Sequence, residues 1–208
     1  MLIYKFPWLY EHVLKTLHGQ ALEQRYRKIA EFIQQGTVLD IGCGTGLLAA
    51  YLKPGVKYIG IDLNERFLKY ARKKGLDVLK INVLDVKAYP PADYYVVCDL
   101  LHHINPKHQP LLNELCALDG TLIVCEPFVT TKSKLKRLLI RAIVDYDFIN
   151  PPRLDLSWYT EQQLIDFFKQ ELKPAGIFKV GVDIIAIRPS QRPSPPDRAH
   201  GGSGLPRS

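Results

Sequence analysis

Three glycines at alternate positions, Gly42, Gly44 and Gly46, follow the short apolar run VLDI at residues 38–41. Glycine lets the backbone turn sharply and lets a ligand approach where any Cβ would collide with it. A plain strand-to-helix turn needs one glycine rather than three. The run VLDIGCGTG therefore predicts a strand that ends in a ligand-binding loop, with a helix beginning at Leu47.

Short apolar runs alternate with helical patterns along most of the chain. Strands are predicted at 38–42, 58–62, 77–83, 94–100 and 121–127, and near 178–182 and 184–188. Helices are predicted at 47–52, 65–74, 110–118 and 161–170. This rhythm is typical of βαβ units, so we expect an α/β, Rossmann-like, doubly wound and mostly parallel sheet.

The same patterns predict one domain over residues 1–188. Residues 1–36 read as one or two helices, and 129–158 as a helical cap inserted after the fifth strand. Residues 189–208 hold five prolines, three glycines and two apolar residues, so we expect a disordered tail. Of the formal charge of +7, the tail carries +2.

The composition and the N-terminal pattern disfavour several classes of protein. No apolar run reaches the roughly 18 residues that a membrane span needs, and the first residues do not resemble a signal peptide, so we expect a cytoplasmic protein. The four cysteines show no spacing typical of a zinc site, which predicts free thiols and no metal. The modest positive charge is not a nucleic-acid signature.

Two acidic residues follow the next predicted strands. Asp62 lies 22 residues after Asp40, where a doubly wound fold presents a carboxylate to the ribose hydroxyls of a nucleoside. The alternative is that Asp62 is the N-cap of the following helix. Asp85 is placed to accept a hydrogen bond from an adenine amino group, or is a turn residue. NAD is disfavoured, because the dinucleotide pattern requires a glycine where Leu47 stands.

Five segments occur in the order found in a known family: VLDIGCGTG, YIGIDLN, NVLDV, DYYVVCDLLHHI and LDGTLIVCEP. The chain resembles the class I S-adenosylmethionine-dependent methyltransferases over residues 36–128, and loosely to 188. The resemblance implies S-adenosylmethionine as cofactor. It implies that the ribose is held by Asp62, the adenine by Leu63 and Asp85, and the methionine part by Asp40, Gly42, Cys43, Gly44 and Gly46. Leu84 stands where the family often has glycine, and it is available as an apolar wall for the adenine ring. Asp99 is an additional acid beside the reaction site and is grouped with the cofactor-binding residues.

The reaction site is expected at the end of the fourth strand. Methyl transfer to a hydroxyl requires removal of a proton, and histidine is suited to this near neutral pH. His102 is the candidate base; the alternative is that His102 and His103 brace the following helix. Glu126 either faces the acceptor or anchors a lid through a salt bridge. These residues predict O- or C-methylation of a small molecule, with a catalytically inactive S-adenosylmethionine-binding subunit as the alternative.

The predicted cap is basic. Its stretch 132–141 is either a solvated helix face or a contact with an anionic membrane, a nucleic acid or an acidic substrate. Asn150, Pro151 and Pro152 superficially resemble the tetrad of enzymes that methylate exocyclic amino groups, but that tetrad follows strand four directly. Methylation of nucleic acid is therefore not expected. The sequence does not indicate the oligomeric state.

Overall fold

The computed structural model describes residues 5–128 and 159–191. A seven-stranded sheet has the strand order β3-β2-β1-β4-β5-β7-β6. The strands are Thr37–Ile41 (β1), Lys57–Asp62 (β2), Val78–Lys80 (β3), Tyr94–Cys98 (β4), Thr121–Pro127 (β5), Gly176–Val180 (β6) and Asp183–Arg188 (β7). β1 to β5 are parallel, whereas β7 runs antiparallel to both β5 and β6. The predicted α/β class and mostly parallel sheet are confirmed.

Five α-helices flank the sheet in the described residues: Pro7–Glu31 (α1), Glu65–Lys73 (α2), Leu101–Ile104 (α3), His108–Cys116 (α4) and Glu161–Leu172 (α5). The core strands are apolar on both faces because side chains alternate between two helical layers. Ile29, in the last turn of α1, and Ile33, just after it, pack on one face of the sheet with Val38 and Val96. Helices α4 and α5 cover the other face, where Leu112 and Phe168 are fully buried with Val97. The order of strands around β1 and β4 makes their carboxyl ends a topological switch point, the usual place for a ligand in such sheets.

Helix α1 is interrupted at Gly19, which has φ of 50° and ψ of −130°. The break explains why residues 1–36 read as one or two helices. Leu14 and Leu22 are buried on either side of it. The two halves therefore pack on different parts of the domain.

Several predicted elements differ from the structure by one or two residues at their ends, and two differ more. The helix expected at 47–52 is a short 3₁₀-helix, Leu47–Tyr51, and the strand expected at 77–83 is limited to Val78–Lys80. β3 is an edge strand that pairs only with β2, and Leu79 is 39% exposed on it. An edge strand has no second neighbour to extend its pairing, so the alternating pattern beyond Lys80 does not become a strand.

The predicted cap at 129–158 lies outside the described residues, as do residues 192–208 of the predicted tail. None of the helices in the described part of the chain is long and apolar enough to cross a membrane.

Candidate functional site

The glycine loop leaves β1 in left-handed backbone conformations. Gly42, Gly44 and Gly46 have φ values of 75°, 54° and 75°. A Cβ on Gly44 would meet only Phe67, at 3.8 Å, so space is open in front of this residue. The loop is closed by a hydrogen bond from the Gly46 N–H to the Cys43 carbonyl (2.9 Å). The loop therefore combines a left-handed backbone, which glycine adopts readily, with an uncovered face at Gly44, as a close ligand contact requires.

Asp62 ends β2 beside this loop. Its Oδ2 accepts a hydrogen bond from the Gly44 N–H (2.9 Å), and its Oδ1 accepts one from the Asn64 N–H (2.7 Å). Asn64, not Asp62, is the N-cap of α2, because its side chain accepts from Arg66 and Phe67. The alternative role for Asp62 is therefore wrong. The carboxylate instead holds the glycine loop through the Gly44 N–H. The next residue, Leu63, is 41% exposed.

Asp40 lies in β1, two residues before the glycine loop. It is 5% exposed, and its Oδ2 accepts a hydrogen bond from the Tyr58 hydroxyl at 2.8 Å. Burial raises the pKa of Asp40 to about 7, although the Tyr58 hydrogen bond opposes the shift. Cys43 is also buried, and burial raises the pKa of its thiol, so it remains protonated. Both side chains therefore belong to the buried part of this strand and loop.

Leu84 and Asp85 lie in the segment after β3. Asp85 is exposed and precedes a 3₁₀-helix, Val86–Ala88, and its N–H donates to the Asn82 carbonyl (2.8 Å). Leu84 is half-buried and packs against the core beside buried Val83. Their assignment to adenine stays a prediction.

The residues present fit the predicted cofactor. The Gly44 face is open to a ligand that a Cβ would displace, and a carboxylate and an exposed leucine stand next to it at Asp62 and Leu63. An apolar wall beside a carboxylate suits a nucleoside, whose base is apolar on its faces and whose ribose donates hydrogen bonds. The described residues contain no group of His, Cys, Asp and Glu side chains that could hold a metal ion.

The segment after β4 touches the glycine loop. A Cβ on Gly42 would lie 3.0 Å from Leu100 Cδ1, so the chain leaving β4 passes directly against the chain leaving β1. Helix α3 starts one residue later and carries His102 and His103. The structure therefore brings together the two sequence motifs predicted to form the cofactor and reaction sites.

Glu126, at the end of β5, organises this segment. Its Oε1 accepts hydrogen bonds from the Leu100 and Leu101 N–H groups, both at 2.7 Å, and its Oε2 lies 2.7 Å from His102 Nδ1. The side chain is 5% exposed. Glu126 thus binds the start of α3 and the imidazole on it. Its burial leaves little of the carboxylate open to an acceptor, and the lid that it was predicted to anchor lies outside the described residues.

His103 packs against His102, with ring centroids 4.1 Å apart. Burial, and then the neighbouring His102, lowers the pKa of His103 to about 3. His103 is therefore neutral at physiological pH and supports the His102 ring. Of the two histidines, His102 has the polar contacts that a proton acceptor requires.

Asp99 connects this site to α1. It has φ of 60°, unusual for a residue with a Cβ, and its N–H donates to the Cys125 carbonyl (2.9 Å). Its carboxylate lies 3.5 Å from Arg25 Nη1 and 4.0 Å from His102 Nε2. Asp99 therefore stands between the imidazole and a cation from the N-terminal helix.

Arg25 is a residue that sequence reasoning missed. It is 2% exposed, and Nη1 also lies 3.4 Å from Oδ1 of Asp183, at the start of β7. Burial raises the pKa of Asp183 to about 6, against the opposing effect of Arg25. Asp183 follows Arg25 by 158 residues, and no local pattern distinguishes Arg25 from the other cations of α1.

Comparisons with known proteins agree with this geometry. Residues 38–118 match a family model described as a methyltransferase domain. An uncharacterized methyltransferase of Staphylococcus carnosus (strain TM300) is 30% identical over 134 residues, which cover 61% of this chain and 64% of that protein. A ubiquinone biosynthesis O-methyltransferase of Bordetella parapertussis is 38% identical over 76 residues, covering 32% of each.

The fold also matches a solved structure. An O-methyltransferase family protein from Burkholderia thailandensis superposes with a TM-score of 0.65 at 17% identity, over 89% of this chain and 60% of that one. The chain therefore spans less than two thirds of the length of each of these three proteins.

Proposed function

We propose that the chain is a class I S-adenosylmethionine-dependent methyltransferase that transfers a methyl group from S-adenosylmethionine to a small-molecule acceptor; the match of residues 38–118 to a methyltransferase domain supports this proposal. O-methylation, with His102 as the base, is the reaction that the site supports best. The relative from Bordetella parapertussis, named as an O-methyltransferase, favours the same acceptor atom.

The contact between Glu126 and His102 carries the proposal. A carboxylate only 2.7 Å from Nδ1 requires a proton on that nitrogen, because two lone pairs would repel each other. In a neutral imidazole the other nitrogen, Nε2, then holds the lone pair. Glu126 thus selects the tautomer in which Nε2 is basic and stabilises the imidazolium that forms when a proton is accepted.

The other residues of the site would bind the cofactor and orient the acceptor. The open face at Gly44, together with Asp62 and Leu63, would hold the cofactor, which when bound supplies a methyl group on a positively charged sulfur. Leu100 lies against Gly42 and so places His102 next to that pocket. Asp99, 4.0 Å from Nε2, is positioned to orient an acceptor hydroxyl toward the imidazole. The protein contributes mainly proximity, orientation and proton removal.

The test measures binding and turnover separately. Calorimetry should show that S-adenosylhomocysteine binds and that NAD does not. The wild-type chain is then incubated with isotopically labelled S-adenosylmethionine and a panel of phenols, carboxylic acids and activated carbon acids, with products detected by mass spectrometry. His102→Gln should lower kcat by about 10²- to 10⁴-fold, the contribution of a general base, with S-adenosylhomocysteine affinity within twofold of wild type.

His103→Gln is the matched control, because it alters the neighbouring imidazole without touching Glu126. It should retain far more activity than His102→Gln. Full activity of His102→Gln would contradict the assigned base. Tight binding of S-adenosylhomocysteine with no methylated product from any acceptor would favour the inactive binding subunit instead.

A further inference from the structure

The first turn of α1 exposes two large aromatic side chains. Phe6 is 44% and Trp8 59% exposed, and Lys5 before them is exposed as well. Single exposed apolar residues are ordinary, but two aromatic rings beside a lysine at one helix end have the composition of a lipid-interface anchor. The amphipathic rings of tryptophan can enter the boundary between headgroups and acyl chains while the lysine remains in water.

Helix α2 presents a stripe of cations to solvent. Arg66, Lys69 and Lys73 are separated by three and four residues, so they lie on one face of the helix, and all three are exposed. The opposite face, with Phe67, Leu68 and Ala71, is buried. The stripe therefore points directly away from the core.

The aromatic turn and the cationic stripe lie on two helices that contact each other. The Tyr10 ring packs on Phe67 with centroids 4.8 Å apart, and Glu11 Oε1 lies 2.7 Å from Lys74 Nζ. Glu11 is only 9% exposed, so this ion pair is partly shielded from water. These contacts fix the first half of α1 against α2. We call the exposed residues of the aromatic turn and the cationic stripe the α1–α2 surface: Lys5, Phe6, Trp8, Arg66, Lys69 and Lys73.

We propose that the α1–α2 surface docks on an anionic lipid bilayer. The cations would approach the negative headgroups, and the aromatic rings would enter the interface beside them. Charge complementarity supports this occupant, because the surface contributes four cations and the whole chain carries a formal charge of +7. The contact is peripheral and does not depend on the proposed reaction, since none of its residues belongs to the glycine loop or the His102 site.

The test uses the full chain and vesicles of phosphatidylcholine with or without an equal amount of phosphatidylglycerol. Co-sedimentation should show binding to the anionic vesicles only, with affinity that falls as salt is raised. Each cation near such a surface contributes about fivefold in affinity, so Arg66→Glu, Lys69→Glu and Lys73→Glu together should weaken binding by at least about 100-fold. In a Trp158→Phe background, Trp8 emission should shift to shorter wavelength on binding.

Three controls keep the proposal falsifiable. The triple variant Lys107→Glu, Lys169→Glu and Lys173→Glu makes the same change in net charge at helices α4 and α5 and should weaken binding far less. Phe6→Ser with Trp8→Ser should reduce vesicle binding while the cations remain. Circular dichroism and S-adenosylhomocysteine affinity should match the wild type in every variant, which separates lost docking from lost folding.

Several results would overturn the proposal. Equal losses of vesicle binding in the α2 triple variant and in the control triple variant at Lys107, Lys169 and Lys173 would mean that net charge, not this surface, attracts the lipid. Loss of binding only in Lys134→Glu, Lys136→Glu and Arg137→Glu would place the contact in the basic stretch 132–141. Tighter binding to a single-stranded RNA than to anionic vesicles, abolished by the α2 triple, would identify a nucleic-acid surface instead.

Discussion

Glu126 Oε2 lies 2.7 Å from Nδ1 of His102, while Oε1 of the same carboxylate accepts two backbone hydrogen bonds at the start of α3. One buried side chain therefore sets both the path of the backbone and the tautomer of the imidazole. Because β5 and β4 are neighbours in the sheet, the end of β5 places Glu126 beside the segment that leaves β4. A substitution at Glu126 that keeps the backbone hydrogen bonds but changes the contact with His102 can separate these two roles.

Glu126→Gln should change the imidazole more than the fold. The amide oxygen can still accept from Leu100 and Leu101, but the amide nitrogen then faces His102 Nδ1 and donates to it. This places the imidazole proton on Nε2, which can no longer accept one. We expect a loss of about 1–2 kcal/mol in the free energy of unfolding and a change of tautomer visible in the ¹⁵N shifts of His102. Glu114→Gln, on the exposed side of α4, should change neither quantity. An unchanged tautomer would contradict the role of Glu126.

Arg25→Met should be strongly destabilising, because it leaves Asp183 buried without its cation. Breaking a buried ion pair by removing one partner costs about 3–5 kcal/mol. Adding Asp183→Asn should recover part of that loss, so the two substitutions should be non-additive in urea unfolding. Arg27→Met is the control, since its partner Glu23 is half exposed and the pair contributes about 0–1 kcal/mol. Additive effects of Arg25 and Asp183 would show that their contact carries no coupling.

Gly44→Ala should separate ligand binding from stability. The substitution strains a backbone with φ of 54°, at a cost of about 1–2 kcal/mol, but meets nothing nearer than Phe67 at 3.8 Å. The added methyl group fills the open face, so affinity for S-adenosylhomocysteine should fall by at least about tenfold. Gly75→Ala is matched in strain, with φ of 79° and no atom within 4 Å, and should cost stability without affecting affinity. Equal affinities in the two variants would place the cofactor elsewhere.

The sequence was sufficient to predict the features that depend on local pattern. The alternating glycines predicted a sharply turning loop, and Gly42, Gly44 and Gly46 form it with positive φ values. The apolar runs predicted the parallel strands because buried strands must be apolar on both faces. The polar contacts between distant parts of the chain could not be predicted from local pattern. Arg25 and Asp183 meet across 158 residues, and Glu126 reaches back to His102 only because β5 pairs with β4. Such contacts follow from the topology and leave no periodic signal.

Asp62→Ala should weaken S-adenosylhomocysteine binding by about 1.5–3 kcal/mol, the range for hydrogen bonds to a charged group. The carboxylate supports the Gly44 N–H as well as the predicted ribose contact, so both losses act in the same direction. Calorimetry measures the effect. Asp77→Ala, an exposed carboxylate next to β3, should leave affinity unchanged. Wild-type affinity in Asp62→Ala would mean that the ribose is held by another residue.

Asp40→Asn should remove a pH dependence of stability. In the folded protein burial raises the pKa of Asp40 to about 7, whereas an unfolded aspartate titrates near ~3.9. The folded state therefore binds the proton more tightly. The stability that this proton contributes is complete below pH ~4 and is lost as pH rises toward about 7. Three pKa units correspond to about 4 kcal/mol.

Asparagine is neutral at every pH and can still accept the hydrogen bond from the Tyr58 hydroxyl. The difference in unfolding free energy between wild type and Asp40→Asn should therefore shift by up to about 4 kcal/mol in favour of the variant between pH 4.5 and 8. Urea unfolding at intermediate pH values measures it. Burial also raises the pKa of Asp183, to about 6. The unfolding free energy of Asp40→Asn should therefore still fall as pH rises, but less steeply than in the wild type, and adding Asp183→Asn should remove this remaining dependence. A pH-independent difference between wild type and Asp40→Asn would show that Asp40 is ionised in the folded protein and that its carboxylate faces water or a cation.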